Sequence, residues 1–125
     1  MKYFLFIAIV ILSFSTANAQ IKQSEIQTKS SLAIKYYNAK DYEKAIPLLL
    51  DVYKISKNGT YFKYYLNSLI ETKRFAEAEE NIQKEIKKQR TPSPELYIHW
   101  GYILKVQERI EEADKKYLEL SLIHI

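Results

Sequence analysis

The chain has 125 residues, of which 47% are hydrophobic and 27% charged, with 11 Tyr, 2 Gly and no Cys. This length accommodates one small domain or a few repeats of a larger one, and the lack of Cys excludes a disulfide framework. The net charge of +4 comes from Lys and Glu that are interleaved along the chain, so charge gives no indication of a nucleic-acid partner.

The first predicted element is an apolar N-terminal segment. Lys2 supplies a positive end, Tyr3 to Leu12 is uninterrupted apolar sequence, and Ala17-Asn18-Ala19 fits an A-x-A cleavage pattern. Because the apolar core is shorter than the roughly 20 residues that a membrane-spanning helix needs, we predict a secretory signal peptide over residues 1–19. Residues 20–25 then form a short N-terminal segment of the mature chain. In the alternative, an uncleaved anchor, the chain stays in the membrane.

This signal also predicts where the protein resides. An A-x-A site without a lipidated Cys, together with a composition rich in Lys, Ile, Tyr and Asn, is typical of a Gram-negative bacterium with an AT-rich genome. We therefore expect the protein in the periplasm, or exported beyond it.

A repeated pattern follows the signal. The segments DYEKA, RFAEA and RIEEA end in Ala45, Ala78 and Ala113, which lie 33 and 35 residues apart. Their average spacing is that of the tetratricopeptide repeat, which the sequence resembles over residues 26 to 120. A generic helical bundle is the alternative, but its loops would not recur in phase.

The resemblance implies an all-α, right-handed α-solenoid of about three antiparallel helix hairpins. The repeats are expected at residues 26–58, 59–93 and 94–119, the third of them truncated. Leu66 stands where the family prefers Gly or Ala. The matching positions, which form the predicted repeat core, are Leu32, Ala33, Tyr36, Tyr42, Ala45, Phe62, Tyr65, Phe75, Ala78, Trp100, Gly101, Ile110, Ala113 and Tyr117.

Several residues mark helix ends. Asp41 and Ser93 are predicted to cap the helices that follow them, with Pro94 in a first turn that needs no N–H. Asn58-Gly59 is predicted to end a helix, since both residues tolerate the left-handed conformation. Pro47, about one turn into its helix, predicts a slight bend rather than a break.

No constellation of residues indicates catalysis. His99 and His124 lie on separate predicted helices, and the sequence has no Gly-rich phosphate loop. Glu77, Glu79, Glu80, Glu111 and Glu112 share helices with Lys, which is typical of solvated faces. We therefore expect no enzyme, no cofactor and no metal site.

Binding is the function that the resemblance implies. In this family the first helix of each hairpin lines a concave groove. Besides the residues that form the predicted binding set, the positions that usually face this groove fall here on Ile34, Ile70, Glu71, Ile98 and Val106. Tyr supplies rigid area with a polar tip and Asn bonds an extended backbone, so these residues suit a peptide, although packing between repeats could equally employ the tyrosines. The predicted partner-binding groove comprises Tyr37, Asn38, Lys63, Tyr64, Asn67, His99, Tyr102 and Lys105.

A more specific version of this groove is disfavoured. Lys63 and Asn67 resemble half of the carboxylate clamp with which some tetratricopeptide domains hold a peptide C-terminus. The clamp needs an Asn in the next repeat, where this sequence has Tyr102.

The sequence thus predicts an exported, non-enzymatic scaffold with a protein or peptide partner. The alternative is the N-terminal sensory or docking module of a longer envelope protein, such as a membrane sensor kinase whose catalytic domain follows. A glycan-binding lipoprotein is disfavoured because the lipidated Cys is absent.

The C-terminal residues favour an interrupted coding sequence. The last helix ends without a capping signal, and residues 120–125, LSLIHI, are identical to one reading frame of the mosaic-end adapter used in transposase-based sequencing libraries. We expect these six residues to be adapter-encoded and the native chain to continue beyond Glu119.

Overall fold

A computed structural model describes residues 2–123, and within this range it contains helices and turns but no strand. The all-α class predicted from the sequence is confirmed. The described helices are α1 (Lys2–Asn38), α2 (Tyr42–Ser56), α3 (Gly59–Glu71), α4 (Phe75–Lys88), α5 (Pro94–Val106) and α6 (Ile110–Ile123).

The chain divides between Phe62 and Lys63, within α3, into two compact units. In the first unit, the C-terminal part of α1 packs against α2. Ala33 and Ala45 are fully buried, and the small side chains allow the two helix backbones to approach closely. The core of this unit is completed by Ile46, Leu49, Val52 and Phe62.

The second unit contains the rest of α3 together with α4, α5 and α6. In this unit α4 packs against α5, and α5 packs against α6. The largest fully buried side chains come from α3, α4 and α5, and burying each of them removes apolar area from water. They are Tyr65, Leu66, Leu69, Ile82, Ile103 and Leu104.

Three turns between helices have the same backbone geometry. Lys40, Lys73 and Glu108 each adopt a left-handed φ between 59° and 62°. Each stands five residues before one of the repeated alanines, so the turns recur at the same period as the sequence pattern. The N–H that follows each of these residues donates to a carbonyl five residues earlier, at 2.7 to 2.9 Å. This closure satisfies carbonyls that a helix end would otherwise leave unpaired.

The helix ends differ from the sequence prediction in detail. Neither Asp41 nor Ser93 makes a side-chain capping bond, although each occupies the N-cap position. The Asp41 carboxylate instead pairs with Lys44 Nζ at 3.0 Å, because the basic side chain one helical turn on competes for it. The helix α2 is continuous through Pro47.

The prediction that Asn58 and Gly59 adopt the left-handed conformation at the end of a helix was also wrong. Lys57 takes the left-handed conformation, with φ 57°, and Gly59 is the first residue of α3. Asn58 Oδ1 accepts a bond from the N–H of Thr60 at 3.0 Å. Asn58 therefore begins a helix rather than ending one, as an N-cap residue does.

One described helix is long and apolar enough to cross a membrane. It spans Tyr3–Asn38, lies near the N-terminus and has a mean hydropathy of 1.9 in its most apolar window, none of which is buried. The large side chains from Tyr3 to Leu12 and Phe14 are all exposed.

Candidate functional site

Two predicted groove residues lie in the first unit, at the end of α1. The Tyr37 ring is half-buried and meets the ring of Tyr42 edge-on, with centroids 5.8 Å apart. Asn38 is exposed. The aromatic pair fixes Tyr37 against the start of α2, so the side chain serves packing as well as surface.

The same unit carries an open depression along α1. Its volume is about 460 Å³, and most of its lining side chains are short and polar. Leu32, which the repeat pattern places in the core, contributes to this surface with 37% of its area exposed. The lining residues are Ser24, Gln27, Thr28, Ser31, Leu32 and Lys35.

In the second unit, α3 contributes three predicted groove residues. Lys63 is exposed, while Tyr64 and Asn67 are half-buried. One turn after Tyr64, the side chain of Ser68 is fully buried, and its hydroxyl donates to the Tyr64 carbonyl at 2.7 Å. That bond satisfies the hydroxyl within the helix, so Ser68 is structural.

The helix α5 presents an exposed apolar ridge. Ile98, Tyr102 and Val106 are 47%, 46% and 37% exposed. Residues four apart share a helix face and rise about 6 Å per step, so these three form a line about 12 Å long. We call these three residues the α5 ridge.

Polar predicted residues accompany the ridge. Lys105 is exposed, and His99 is half-buried. His99 Nδ1 donates to the carbonyl of Glu95 at 2.6 Å, which orients the ring along the helix. The ridge therefore has an ammonium and an imidazole on the same helix.

A polar cluster lies between α4, α5 and α6. Glu79 Oε2 accepts from Arg109 Nη1 at 2.8 Å, and Glu79 Oε1 accepts from Trp100 Nε1 at 3.4 Å. Lys116 Nζ lies 3.8 Å from the centroid of the Trp100 ring, a cation–π contact. We call Glu79, Trp100, Arg109 and Lys116 the Glu79 cluster.

This cluster corrects the sequence prediction for Glu79. Its side chain is only 17% exposed and is not part of a solvated face. The contact to Arg109 spans thirty residues of sequence, so no local pattern signals it. Glu77, by contrast, pairs within its own helix turn with Arg74 Nη2 at 2.7 Å.

Most of the predicted core residues are buried or half-buried. Ala33, Ala45, Phe62, Tyr65, Ala78, Gly101 and Ala113 are buried, and Leu66 is buried although it is larger than the Gly or Ala expected there. The side chain of Ile110, and the residues His124 and Ile125, lie outside the described part of the chain. The half-buried members are Tyr36, Tyr42, Phe75, Trp100 and Tyr117.

The ionisable groups with shifted pKa values are explained by ion pairs or burial. A hydrogen bond from Lys84 lowers the pKa of Glu80, and one from Arg109 lowers the pKa of Glu112. Burial raises the pKa of Tyr65, with the Glu77 carboxylate adding to the effect. Within residues 2–123, no three His, Cys, Asp or Glu side chains come together as a metal site would require.

No family model matches the chain, and no curated protein matches it significantly. Solved structures of MamA, a protein with the tetratricopeptide-repeat fold, do resemble it. The structure MamA MSR-1 gives a TM-score of 0.62 at 19% identity, over 79% of this chain and 57% of that chain. A structure of MamA AMB-1 gives a TM-score of 0.62 at 18% identity, over 79% of this chain and 59% of that chain.

The likeness to MamA concerns the fold. The chain spans less than three fifths of the length of these two solved structures. At this identity the comparison shows the fold alone, which is all-helical and tetratricopeptide-like.

Proposed function

We propose that this chain is an exported, non-enzymatic scaffold that binds a segment of a partner protein on the α3 and α5 surface of its second unit. The observation that carries the proposal is the α5 ridge, with Ile98, Tyr102 and Val106 exposed in line on one helix. A tetratricopeptide-like fold suggests a protein-interaction scaffold.

The chemistry of the surface favours a peptide segment. Exposed apolar side chains that lie in a line mark interaction surfaces more often than single exposed ones do. Tyr102 adds a phenol that can bond a backbone while its ring packs, and Tyr is enriched at binding hot spots. Lys105 is exposed on the same helix as the ridge and Lys63 is exposed on α3, so both can pair with acidic groups of a partner.

A random-peptide display library tests this proposal. The library is selected on the immobilised chain, and each enriched peptide is then measured against the Tyr102→Asp variant. We expect a loss of affinity of about 10-fold or more, since a central aromatic contact contributes on the order of 2 kcal/mol.

Lys87→Asp provides the matched control, because Lys87 is exposed on α4 in the same unit. It should bind the enriched peptides as the unaltered chain does, and circular dichroism should show that both variants keep their helices. Failure to enrich any peptide, or equal binding by the Tyr102→Asp variant, would contradict the proposal.

Export is proposed from the N-terminal segment. Between Tyr3 and Ile21 the sequence has no charged residue, and this part of α1 has no apolar partner in the first unit. A helix that is apolar on every side requires a lipid or protein environment, which the secretion machinery supplies before cleavage.

A further inference from the structure

The Glu79 cluster has a role that the binding proposal does not use. We propose that Glu79 is a positioning residue, which holds α5 and the start of α6 against α4 and thereby fixes the α5 ridge. The second half of this inference, concerning the ridge, rests on the proposed function.

Both oxygens of the Glu79 carboxylate are engaged by other helices or turns. Oε2 accepts from Arg109, in the turn before α6, at 2.8 Å, and Oε1 accepts from Trp100 of α5 at 3.4 Å. The side chain is 17% exposed, so these bonds are screened by solvent less than an ordinary surface pair. One carboxylate therefore ties α4 to both helices of the following hairpin.

Arg109 is itself held in place. Its other guanidinium nitrogens donate to the carboxylate of Glu112, in the first turn of α6. The bond from Arg109 Nε to Glu112 Oε1 measures 2.9 Å. A planar guanidinium with fixed donors transmits orientation better than a flexible ammonium does. Arg109 thus joins Glu79 on α4 to Glu112 on α6.

Trp100 is oriented from two sides. Glu79 bonds its indole N–H, and Lys116 from α6 lies over its ring at 3.8 Å. Lys116 Nζ also contacts Glu119 at 3.3 Å, which keeps the ammonium over the indole. The indole is therefore bounded by charged groups of both neighbouring helices.

The ridge lies on the opposite side of α5 from this cluster. Successive residues of an α-helix are about 100° apart, so Trp100 is about 160° around the helix from both Ile98 and Tyr102. Fixing the Trp100 side of α5 therefore sets the direction in which the ridge projects. The exposed parts of Ile98, Tyr102 and Val106 remain accessible to a partner.

The variant Glu79→Gln tests the positioning role, with Glu80→Gln as the matched control. Gln keeps an oxygen for Trp100 but loses the charge that Arg109 requires. Glu80 is the next residue, is 63% exposed and pairs with Lys84, one turn on in the same helix. Glu79→Ala removes both bonds.

Two measurements on the full chain report on position without a ligand. Trp100 is the only Trp, so its emission spectrum reports on the cluster directly. We expect Glu79→Gln and Glu79→Ala to shift this emission, and to accelerate hydrogen exchange in α5 and α6 by about 3- to 10-fold, which matches a typical coupling between two contacting groups. Glu80→Gln should leave both unchanged.

A third measurement separates this inference from the proposed function. The peptides enriched on the unaltered chain should bind the Glu79→Gln variant about 3- to 10-fold more weakly, although Glu79 is not on the ridge. If no peptide is enriched, the proposed function fails while emission and exchange still decide the positioning role. If Glu79→Gln and Glu79→Ala both behave as Glu80→Gln does, the positioning role is wrong.

Discussion

At the scale of single residues, the ring of Tyr117 occupies the space that a side chain at Gly101 would need. A Cβ at Gly101 would lie 2.5 Å from Cζ and 2.6 Å from Cε1 of Tyr117, and these ring atoms are part of a rigid plane. The sequence pattern anticipates a small residue here but not which side chain fills the space. Gly59 offers the contrast, because a Cβ there would meet nothing within 4 Å.

We predict that Gly101→Ala lowers the free energy of unfolding by about 1–2 kcal/mol. Helix propensity alone would favour Ala over Gly by roughly 1 kcal/mol, so a loss of stability identifies the overpacking. Denaturant unfolding measures the free energy of unfolding of each variant. The variants are Gly101→Ala, Gly59→Ala, and Gly101→Ala combined with Tyr117→Leu. Gly59→Ala should be neutral or slightly stabilising, and the combined variant should recover part of the loss. Stability of Gly101→Ala at or above that of the unaltered chain would show that Tyr117 moves aside.

The pair formed by Arg109 and Glu112 predicts a dependence on pH. The hydrogen bond from Arg109 lowers the pKa of Glu112 below its ordinary value of 4.5. A carboxyl whose pKa is lower in the folded than in the unfolded chain stabilises the fold above about pH 4.5, and this contribution is lost as pH falls through the folded value. The unaltered chain should therefore lose more stability below pH 4.5 than the Glu112→Gln variant loses.

This prediction is tested by unfolding curves recorded at pH values above and below 4.5. Glu111→Gln, at a neighbouring exposed position, is the control. Glu111→Gln should follow the unaltered chain. A Glu112 carboxyl that titrates at or above 4.5 in a nuclear magnetic resonance experiment would be incompatible with the pairing.

At the scale of helices and turns, the repeat is visible in the backbone. The carbonyls of Asp41, Arg74 and Arg109 each accept from the N–H of the alanine four residues on, at 3.1 Å in all three cases. The left-handed residue that precedes each of them is Lys or Glu rather than Gly. A left-handed conformation costs a residue with a Cβ roughly 1 kcal/mol or more, so each of these turns lowers the stability of the fold by about that amount.

We predict that Lys73→Gly raises the free energy of unfolding by up to about 1 kcal/mol, because Gly adopts this φ of 59° without strain. Lys73→Val should lower it by at least about 1 kcal/mol, since a β-branched side chain tolerates positive φ poorly. Lys115→Gly, at an exposed position within α6, should instead cost about 1 kcal/mol. Thermal unfolding of the three variants shows whether each substitution raises or lowers stability. Equal destabilisation by Gly at both positions would mean that the turn is not left-handed in solution.

The helices were predictable because their signals are local. Alanines at a recurring spacing and apolar residues at helical intervals indicate helix hairpins without knowledge of what packs against them. The turn chemistry was less predictable, because Lys57 and Lys73 have no propensity that indicates a left-handed backbone. The Asn58-Gly59 prediction failed because Lys57, just before that pair, takes the left-handed conformation instead.

The candidate surface was likewise predictable from the sequence only in part. Ile98, Tyr102 and Val106 share a helix face by spacing alone, so their alignment followed from the sequence. The bond from Arg109 to Glu79 could not be predicted, because it depends on how α5 and α6 pack against α4. Surface that is formed by one helix can be read from a sequence, whereas contacts between hairpins require the structure.

At the scale of the whole molecule, we propose that the N-terminal part of α1 directs export. The large side chains from Tyr3 to Leu12 are exposed on all sides of the helix. Leaving that much apolar surface in water is unfavourable by roughly 25 cal/mol for each Å², so a soluble protein cannot retain it uncovered. Cleavage would remove the segment, whereas retention in lipid would keep it, so the two outcomes give chains of different length.

We predict cleavage after Ala19, which leaves Gln20 as the first residue of the exported chain. The small side chains of Ala17 and Ala19 at the A-x-A positions determine recognition, whereas the residue between them is permissive. Ala17→Leu combined with Ala19→Leu should therefore block processing, and Asn18→Leu, which adds a side chain of the same kind between them, should not. Mass spectrometry of the periplasmic and membrane fractions distinguishes the two products. An intact chain that stays in the membrane after alkaline extraction, with the same mass for all three forms, would instead identify the segment as a permanent anchor.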